Sequence, residues 1–483
     1  MRLVPFLIRI ESDRLPWSHS TQFGVPESVN TRSSAIVLLL AVSSLTLSSC
    51  ASTGAQPPRN IVIMICDGCG YNHIDAAGLY QYGGTAGQPY ERFPVRLAMS
   101  TYPVGGSYEP QKAWSDFKYV TEGKTDSAAA ATAMACGVKT YDGAIGVGPN
   151  KAPVENLIER CERLGKATGV VTSVPWAHAT PAGFVAHNPD RGDYEQISAE
   201  MIASAVEVIM GAGHPFYDDD GKPADEPKYK YIGRKTWQAL AEGRASSDAD
   251  ADGREDTWTL IQTKGQFLAL TTGDTPRRVC GTVQVGRTLQ QERAGPKNAA
   301  PYQVGFIETV PSLAQMVKAA INVLDEDPDG FFLMIEGGAV DWASHDNDTG
   351  RMIEEMIAFN TAIEAVINWI ETNSSWGQSL LVVSSDHETG HISGPQSGPT
   401  QHGPVWNPVA NRGAGKVPGL EWHEDGHTNS LVPFYAKGCG AELYEKAATN
   451  TDAVRGRYVD NTDLAKIVFT MLQTQPVGRI RSE

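Results

Sequence analysis

The chain alternates between short apolar runs and longer stretches with helical periodicity. Runs rich in β-branched or large apolar residues indicate buried strands at 60–66, 169–174, 331–335, 380–384 and 431–436. Helical patterns lie between them at 154–164, 196–210 and 352–370. Alternation of strands and helices is typical of a parallel sheet covered on both faces. We therefore predict an α/β fold, a three-layer sandwich around a mostly parallel central sheet.

Two regions break this alternation. Residues 213–303 are rich in Asp, Gly and charged side chains, and residues 391–425 are rich in Gly and Pro. We interpret both as insertions on the rim of one domain at 60–475, followed by a short tail at 476–483. Within the first region, Asp248 opens a pattern similar to a calcium-binding loop, but position twelve is Thr259 instead of Glu. A solvated acidic loop is the better interpretation.

The N-terminal segment indicates export. An apolar stretch at 35–42 is too short to span a bilayer, which needs about 20 residues, and it fits the core of a signal peptide. It leads to Leu-Ser-Ser-Cys, which resembles the bacterial lipobox, so we expect a lipid on Cys50 and a tether at 51–59. Plain secretion is the alternative. We predict a bacterial cell-envelope protein, periplasmic or anchored in a membrane.

The first 28 residues do not belong to such a signal. They contain Glu11, Asp13, Pro16 and Pro26, and they push the apolar stretch unusually far from the first residue. We therefore expect translation to begin near Val29, which leaves residues 1–50 as a signal region with an over-extended start.

Charge and cysteine content limit the classes of function and of metal site that the chain can have. A formal net charge of -16 argues against a nucleic-acid-binding surface, which needs clustered Lys and Arg. An anionic substrate would need local cations, which metal ions can supply. Of the seven cysteines, Cys66 and Cys69 form the sole C-x-x-C, which disfavours a four-cysteine zinc site. Those two are packing residues or a local disulfide.

Acidic and imidazole side chains follow the predicted strands closely. They are Asp67, Glu336, Asp341, His345, Asp386 and His387, and His427 precedes the run at 431–436. Because ligands of open α/β sheets bind beyond the carboxyl ends of strands, these side chains should converge. Singly, each is more often a helix cap or a satisfied polar group. As a set they would repel one another unless they bind cations, and mixed His and carboxylate ligands suit zinc.

An alanine-rich segment supplies a second element. Residues 125–135, closed by Gly137, predict a helix with Asp126 or Ser127 at its N-terminus. Ser127 either caps that helix or acts as a nucleophile. A helix N-terminus favours an anion, but the dipole alone would not ionise a serine, whereas a coordinated metal ion lowers hydroxyl pKa values by several units.

These segments together resemble the alkaline phosphatase family. The nucleophile motif of that family corresponds here to Asp126-Ser127-Ala128 through Thr132-Ala133, followed by Gly137-Val138-Lys139-Thr140. The match continues in family order through Asp67-Gly68-x-Gly70, Ala179-Thr180-Pro181-Ala182, Glu336-Gly337-Gly338, Asp341-x-x-x-His345, Asp386-His387-Glu388-Thr389 and His427-Thr428. It covers about residues 60–438, and an ordered set of this kind is specific.

The resemblance implies a role for each matching residue. Ser127 would be the nucleophile, and Arg191, thirteen residues after His178, would bind phosphate. Two Zn²⁺ and one Mg²⁺ are implied: the first zinc on Asp341, His345 and His427, the second on Asp67, Asp386 and His387, and magnesium shared by Asp67, Thr180 and Glu336. Around them would lie Asp126, His178 and Trp342. The last two replace an Asp and a Lys that are frequent in the family, so the third metal is the least constrained cofactor.

The implied activity is hydrolysis of small phosphate monoesters at alkaline pH through a phosphoserine on Ser127. A phosphodiesterase of the same superfamily is the alternative, although such enzymes generally lack the third metal site. A sulfatase is disfavoured because no Cys/Ser-x-Pro-x-Arg motif surrounds the nucleophile. A metal-stabilised, noncatalytic surface lipoprotein is a further alternative, which the presence of both Ser127 and Arg191 disfavours. Many members of the family are dimers, and the sequence leaves a homodimer open.

Overall fold

The computed structural model describes residues 57–249 and 253–473. The predicted start near Val29, the lipid site at Cys50, most of the tether and the 476–483 tail lie outside these residues.

The described part of the chain contains seventeen strands and thirteen α-helices. The strands are β1 (Asn60–Ile65), β2 (Val95–Ser100), β3 (Ala167–Pro175), β4 (Val208–Ala212), β5 (Ser246–Ser247), β6 (Asp256–Thr257), β7 (Thr259–Ile261), β8 (Val279–Thr282), β9 (Phe331–Glu336), β10 (Ser379–Ser384), β11 (Glu388–Thr389), β12 (Gly398–Thr400), β13 (Gly403–Val405), β14 (His427–Thr428), β15 (Val432–Gly438), β16 (Asn450–Asp452) and β17 (Gly456–Asp460). The helices are α1 (Tyr71–Tyr82), α2 (Pro110–Ser115), α3 (Ser127–Cys136), α4 (Leu157–Arg163), α5 (Ala179–Val185), α6 (Tyr194–Ala203), α7 (Arg234–Ala241), α8 (Lys264–Ala269), α9 (Leu313–Leu324), α10 (Ala339–His345), α11 (Thr349–Asn373), α12 (Glu442–Ala447) and α13 (Asn461–Leu472).

Eleven of these strands form one sheet, in the order β16-β17-β2-β15-β10-β1-β9-β3-β4-β8-β7. Its neighbouring strands are parallel except where β15 meets β10 and β2 and where β16 meets β17. The prediction of a mostly parallel central sheet is confirmed. At its centre, Ile65 of β1 lies beside Ser384 of β10 and Glu336 of β9. The three strands therefore end at one level.

Helices cover both faces of this sheet. Ile61 and Ile63 of β1 belong to a buried cluster that includes residues of α3, α5 and α13, whereas Val62 and Met64 belong to a cluster that includes residues of α9 and α11. Successive residues of a strand point to opposite faces, so β1 contributes to both cores. This is the predicted three-layer sandwich.

One predicted helix was wrong in its second half. The pattern at 196–210 is a helix only to Ala203, after which Val208–Ala212 forms β4 and pairs with β3 and β8. The helix stops at Ser204, where the backbone is extended. Short apolar runs such as Val208-Ile209-Met210 fit either period, and here pairing inside the sheet decides.

The regions read as insertions differ from each other. Within 213–303, β8 and β7 extend the central sheet beyond β4, so part of this region builds the sheet. These strands have four and three residues, too few for alternation to be visible in the sequence. Residues 391–425 contain only the short antiparallel pair β12 and β13.

Cys66 and Cys69 are free thiols and are not joined by a disulfide. Both are buried, and the Cys66 Sγ lies 3.5 Å from the Met356 Sδ, which favours the packing interpretation. No helix in the described ranges has the length and hydrophobicity needed to cross a bilayer.

Small residues allow α3 and α5 to approach closely. Every residue of α3 is buried, and a Cβ added to Gly183 of α5 would lie 2.8 Å from the Ala131 Cβ and 3.3 Å from backbone atoms of α3. The position of α3, which begins at Ser127, therefore depends on the absence of a side chain at Gly183.

We expect Gly183→Ala to lower the free energy of unfolding by about 1–2 kcal/mol. Helix propensity alone favours Ala by roughly 1 kcal/mol, but overpacking a tight core contact costs about 1–3 kcal/mol and outweighs it. Thermal and urea unfolding would measure the change. Gly84→Ala is the control, because nothing lies within 4 Å of the added Cβ and its stability should be unchanged or slightly raised. A Gly183→Ala protein as stable as wild type would contradict the packing argument.

Candidate active site at the ends of the central strands

Asp341, His345 and His427 form one cluster. Asp341 and His345 lie one turn apart on α10, and His427 opens β14. The His345 Nε2 lies 3.4 Å from Asp341 Oδ2 and 3.1 Å from His427 Nε2, and the His427 Nε2 lies 3.6 Å from Asp341 Oδ1. One ligand atom from each residue falls within 4.8 Å of the others.

Backbone carbonyls fix the orientation of these imidazoles. The His345 Nδ1 donates to the Asp425 carbonyl at 2.5 Å, and the His427 Nδ1 donates to the Thr125 carbonyl at 2.9 Å. A carbonyl only accepts, so each Nδ1 carries hydrogen. The neutral rings would then direct two Nε2 lone pairs at each other and at a carboxylate, which is a donor set that fits a divalent cation.

Asp67, Asp386 and His387 form a second cluster, completely buried. The His387 Nε2 lies 3.3 Å from Asp386 Oδ2 and 3.5 Å from Asp67 Oδ1. Both carboxylate oxygens of Asp67 and the Oδ2 of Asp386 lack a hydrogen-bond partner among the described residues. Burial and then neighbouring carboxylates raise the pKa of Asp67, and they raise that of Asp386 to about 8. Such orphaned buried oxygens are costly without a cation, so this cluster fits one as well.

The two clusters lie side by side. The rings of His387 and His427 stack with centroids 3.6 Å apart. The Thr389 hydroxyl donates to Asp341 Oδ1 at 2.6 Å and lies 3.3 Å from His387 Nδ1. Because this hydroxyl donates its hydrogen bond to Asp341, it accepts one from the His387 Nδ1–H. The His387 Nε2 is therefore the acceptor nitrogen of that ring. Burial, followed by the charge of His427, lowers the pKa of His387 and keeps the ring neutral.

Ser127 is the first residue of α3, and its hydroxyl lies against the second cluster. The Ser127 Oγ is 3.1 Å from the His387 Nε2 acceptor. The helix is capped by its neighbour, because the Asp126 Oδ1 accepts from the Ala129 N–H at 2.9 Å. Of the two interpretations left open by the sequence, capping thus belongs to Asp126, and the Ser127 hydroxyl is not needed for it.

Arg191 is held by the same carboxylate. Its Nη1 donates to Asp126 Oδ2 at 2.9 Å, and that oxygen also accepts from the Gly143 N–H at 3.0 Å. Ser127 and Arg191 line one cavity of about 530 Å³. The cavity brings together seven of the residues singled out in the sequence, Ser127, His178, Arg191, Asp341, Trp342, His345 and His427. Asp126 therefore positions α3, which begins at Ser127, and the guanidinium of Arg191 together.

Glu336 and Thr180 lie in a third polar group beneath the second cluster. The Thr172 hydroxyl donates to Glu336 Oε2, whereas Glu336 Oε1 and the Thr180 Oγ1 have no partner among the described residues. Burial raises the pKa of Glu336 to about 7. A carboxylate and a hydroxyl, together with the unpaired oxygens of Asp67, suit magnesium.

His178 and Trp342 lie against each other beside this group. Their rings meet edge to face with centroids 5.5 Å apart. Burial, followed by the charge of Arg191, lowers the pKa of His178 to about 3, so this side chain is neutral. At these two positions the chain supplies neither a negative nor a positive charge.

Several residues of the cavity wall were not predicted from the sequence. They are Tyr194, Lys230, Tyr231, Arg287, Glu292 and Asp346. Most come from 213–303, where no periodicity or motif points to a site. Residues 391–425, described throughout, contribute nothing to this wall, although the carbonyl of Asp425 holds His345. Thr389 belongs to a motif that the sequence shows, but only the structure reveals that its hydroxyl links the two clusters.

We expect added Zn²⁺ and Mg²⁺ to raise the melting temperature, by an amount that grows from pH 5 to pH 8. In the metal-free folded protein, Asp386 and Glu336 keep protons up to pH values of about 8 and 7, whereas their ordinary pKa values are 3.8 and 4.5. The folded state then binds more protons than the unfolded chain, so these groups make metal-free stability fall as pH rises through this window. Bound cations replace those protons.

Scanning calorimetry with metal ions and with chelator, at several pH values, measures the gap between the two melting temperatures. The Asp386→Asn protein is the control, and its metal-free melting temperature should depend less on pH. A gap that is constant from pH 5 to pH 8 would contradict the role of the buried carboxyl groups.

Comparisons with known proteins show which family the chain belongs to. The family model described as alkaline phosphatase matches residues 58–417. Alkaline phosphatase 3 of Bacillus subtilis (strain 168) is 29% identical over 374 residues, covering 74% of this chain and 69% of that protein. Alkaline phosphatase of Escherichia coli (strain K12) is 27% identical over 359 residues, covering 70% and 71%. The structure of Thermus thermophilus alkaline phosphatase has a TM-score of 0.61 at 21% identity, covering 93% of this chain and 97% of that one, and supports the fold. The chain belongs to the alkaline phosphatase family.

Proposed function

We propose that this phosphatase hydrolyses phosphate monoesters at alkaline pH through a phosphoserine on Ser127, with two Zn²⁺ and one Mg²⁺. One observation carries the proposal. The Ser127 hydroxyl, buried at a helix N-terminus, lies 3.1 Å from the acceptor nitrogen of a cluster of unpaired ligand atoms. A hydroxyl in that position is useful as a nucleophile and has no capping role to perform.

The residues that would hold the ions follow from the donor sets. Asp341, His345 and His427 would hold one Zn²⁺, and Asp67, Asp386 and His387 the other. Thr180 and Glu336, with Asp67, would hold Mg²⁺. When bound, these cations would supply positive charge that stabilises the ionised hydroxyl and the leaving oxygen.

Ser127 and Arg191 carry out the chemistry of the chain itself. The Ser127 Oγ attacks phosphorus in line with the ester oxygen, so an O–P bond to serine forms as the bond to the alcohol breaks. Water then attacks the phosphoserine, releasing inorganic phosphate and restoring Ser127. The transition state is loose and needs positioning more than proton transfer, and the planar guanidinium of Arg191 can bind two of the nontransferred oxygens.

The pKa values of the cluster favour alkaline pH. Asp386 and Glu336 have pKa values raised to about 8 and 7, chiefly by burial. In His345, burial opposes protonation, but the hydrogen bond and charge of Asp341 raise the pKa to about 9. Protons therefore compete with cations for these atoms at neutral pH, and the competition fades as pH rises.

We expect Ser127→Ala to lose most turnover of p-nitrophenyl phosphate, by a factor of at least about 10³, while it binds the same number of metal ions. The substitution removes the nucleophile and leaves every proposed ligand in place. Steady-state assays and elemental analysis of the purified protein measure the two quantities. Ser115→Ala, an exposed serine of α2 outside the cavity, is the control and should keep its activity. Normal turnover by Ser127→Ala would remove Ser127 from the mechanism.

We expect p-nitrophenyl phosphate to be hydrolysed with a kcat/KM at least about 100-fold higher than bis-p-nitrophenyl phosphate. Glu336, Thr180 and Asp67 leave a third set of unpaired oxygens, which would hold a third metal ion in a monoesterase and which two-zinc diesterases generally lack. The two substrates share a leaving group, so the ratio reports recognition of the phosphoryl group. A preference for the diester would favour the phosphodiesterase alternative.

A further inference from the structure

The cavity around Ser127 is larger than a phosphoryl group requires. Its volume of about 530 Å³ falls within the range of sites that enclose whole small molecules. The alcohol part of a substrate would therefore also contact the wall. Tyr194, Lys230, Tyr231, Arg287, Glu292 and Asp346 line that remaining part.

This wall contains two cations, Lys230 and Arg287, and only Arg287 is paired with carboxylates. The guanidinium of Arg287 lies 2.9 Å from Asp219 and 2.8 Å from Glu292, and Asp346 accepts from the Gln291 Nε2 at 3.4 Å. Lys230 forms no ion pair with any described carboxylate, and its Nζ donates to the Tyr231 hydroxyl at 3.3 Å. Lys230 is therefore the cation of this wall that remains available to an anion.

The segment around Lys230 is fixed on both sides. The backbone N–H of Lys228 donates to the Pro215 carbonyl, and that of Gly233 donates to the Ser198 hydroxyl at 3.1 Å. Tyr231 is buried and meets Tyr194 edge to face at 5.1 Å. The Lys230 side chain is exposed, but its Nζ lies 4.8 Å from the Tyr231 ring centroid. The ammonium group thus remains at the cavity wall.

The charge of Lys230 also reaches the interior of the cavity. Burial raises the pKa of Tyr194, and the charge of Lys230, after that of Arg191, opposes this rise. In a chain with a formal net charge of -16, a cation in this position offsets repulsion of a strongly anionic substrate.

We propose that Lys230 is a specificity residue that binds a second anionic group, a carboxylate or a phosphate, on the alcohol part of the phosphate monoester. This inference rests on the proposed function, because it assigns the substrate class of the same cavity. The ammonium donates a charge-assisted hydrogen bond to that second anion and takes no part in bond breaking.

A matched pair of substrates tests the proposal. 3-Phosphoglycerate and glycerol 3-phosphate differ in a carboxylate that replaces a hydroxymethyl group. We expect the metal-loaded wild type to have a higher kcat/KM for 3-phosphoglycerate, mainly through KM, and Lys230→Met to lower the ratio of the two kcat/KM values about 3- to 10-fold. That range lies between an exposed ion pair and a charge-assisted hydrogen bond. Lys230→Arg should restore most of the ratio.

Lys228→Met is the matched control. Lys228 is an exposed lysine two residues away that does not line the cavity, so its loss changes the net charge equally and should leave the ratio unchanged. Raising the salt concentration should lower the wild-type preference, because exposed charges are screened. A wild-type ratio of one or below, or a ratio that Lys230→Met does not lower, would overturn the proposal.

Binding to the metal-loaded Ser127→Ala protein separates this proposal from the function on which it rests. Calorimetry should show tighter binding of 3-phosphoglycerate than of glycerol 3-phosphate, and Lys230→Met in that background should remove the difference. If wild type hydrolyses neither compound but the binding difference depends on Lys230, the proposed function fails and the anion site stands. If turnover is normal and binding shows no such difference, the anion site fails alone.

Discussion

The structure depends on how buried negative charge is compensated at the ends of the central strands. Asp67, Glu336, Asp341 and Asp386 are buried within one region, and neighbouring carboxylates raise the pKa values of Asp67 and Asp386 further. The nearby guanidinium of Arg191 is already paired with Asp126. Such a concentration of carboxylates is unfavourable unless protons or cations bind to it. Occupancy by the proposed metal ions would therefore be coupled to folding, with proton binding as the alternative in their absence.

The parallel arrangement explains why these charges meet. Because β9, β1 and β10 are in register, Glu336, Asp67 and Asp386 leave the sheet at nearly the same level, although they are far apart in sequence. The same strands are hydrophobic up to that point, which fixes their depth in the core. Alanine and glycine at the contact of α3 and α5 then let Ser127 approach the cluster. Core packing and site geometry are consequences of the same register.

Much of the fold and of the candidate site could be predicted, because the polar residues of the site directly follow hydrophobic runs in the sequence. Asp67 and Asp386 follow apolar runs that read as strands, so their convergence followed from the topology of parallel sheets. The second half of the 196–210 pattern was assigned wrongly, since a short apolar run fits a helix or a buried strand. Lys230 could not be identified, because it comes from a region without periodicity and reaches the cavity only through contacts distant in sequence. Local pattern determines where a strand ends, but not which loop covers it.

The imidazole Nδ1 hydrogens that face away from the two clusters determine which ring nitrogens can act as ligands. The carbonyls of Thr125 and Asp425 retain the Nδ1 hydrogens of His427 and His345, and the Thr389 hydroxyl accepts that of His387. The three Nε2 atoms consequently face the carboxylates, an orientation fixed by protein groups alone, and each can act as a ligand once its ring is neutral. Little reorganisation would then accompany cation binding. Asp126 has a similar orienting role, because one carboxylate caps α3 and fixes Arg191, so the proposed nucleophile Ser127 and the proposed phosphate-binding guanidinium cannot shift independently.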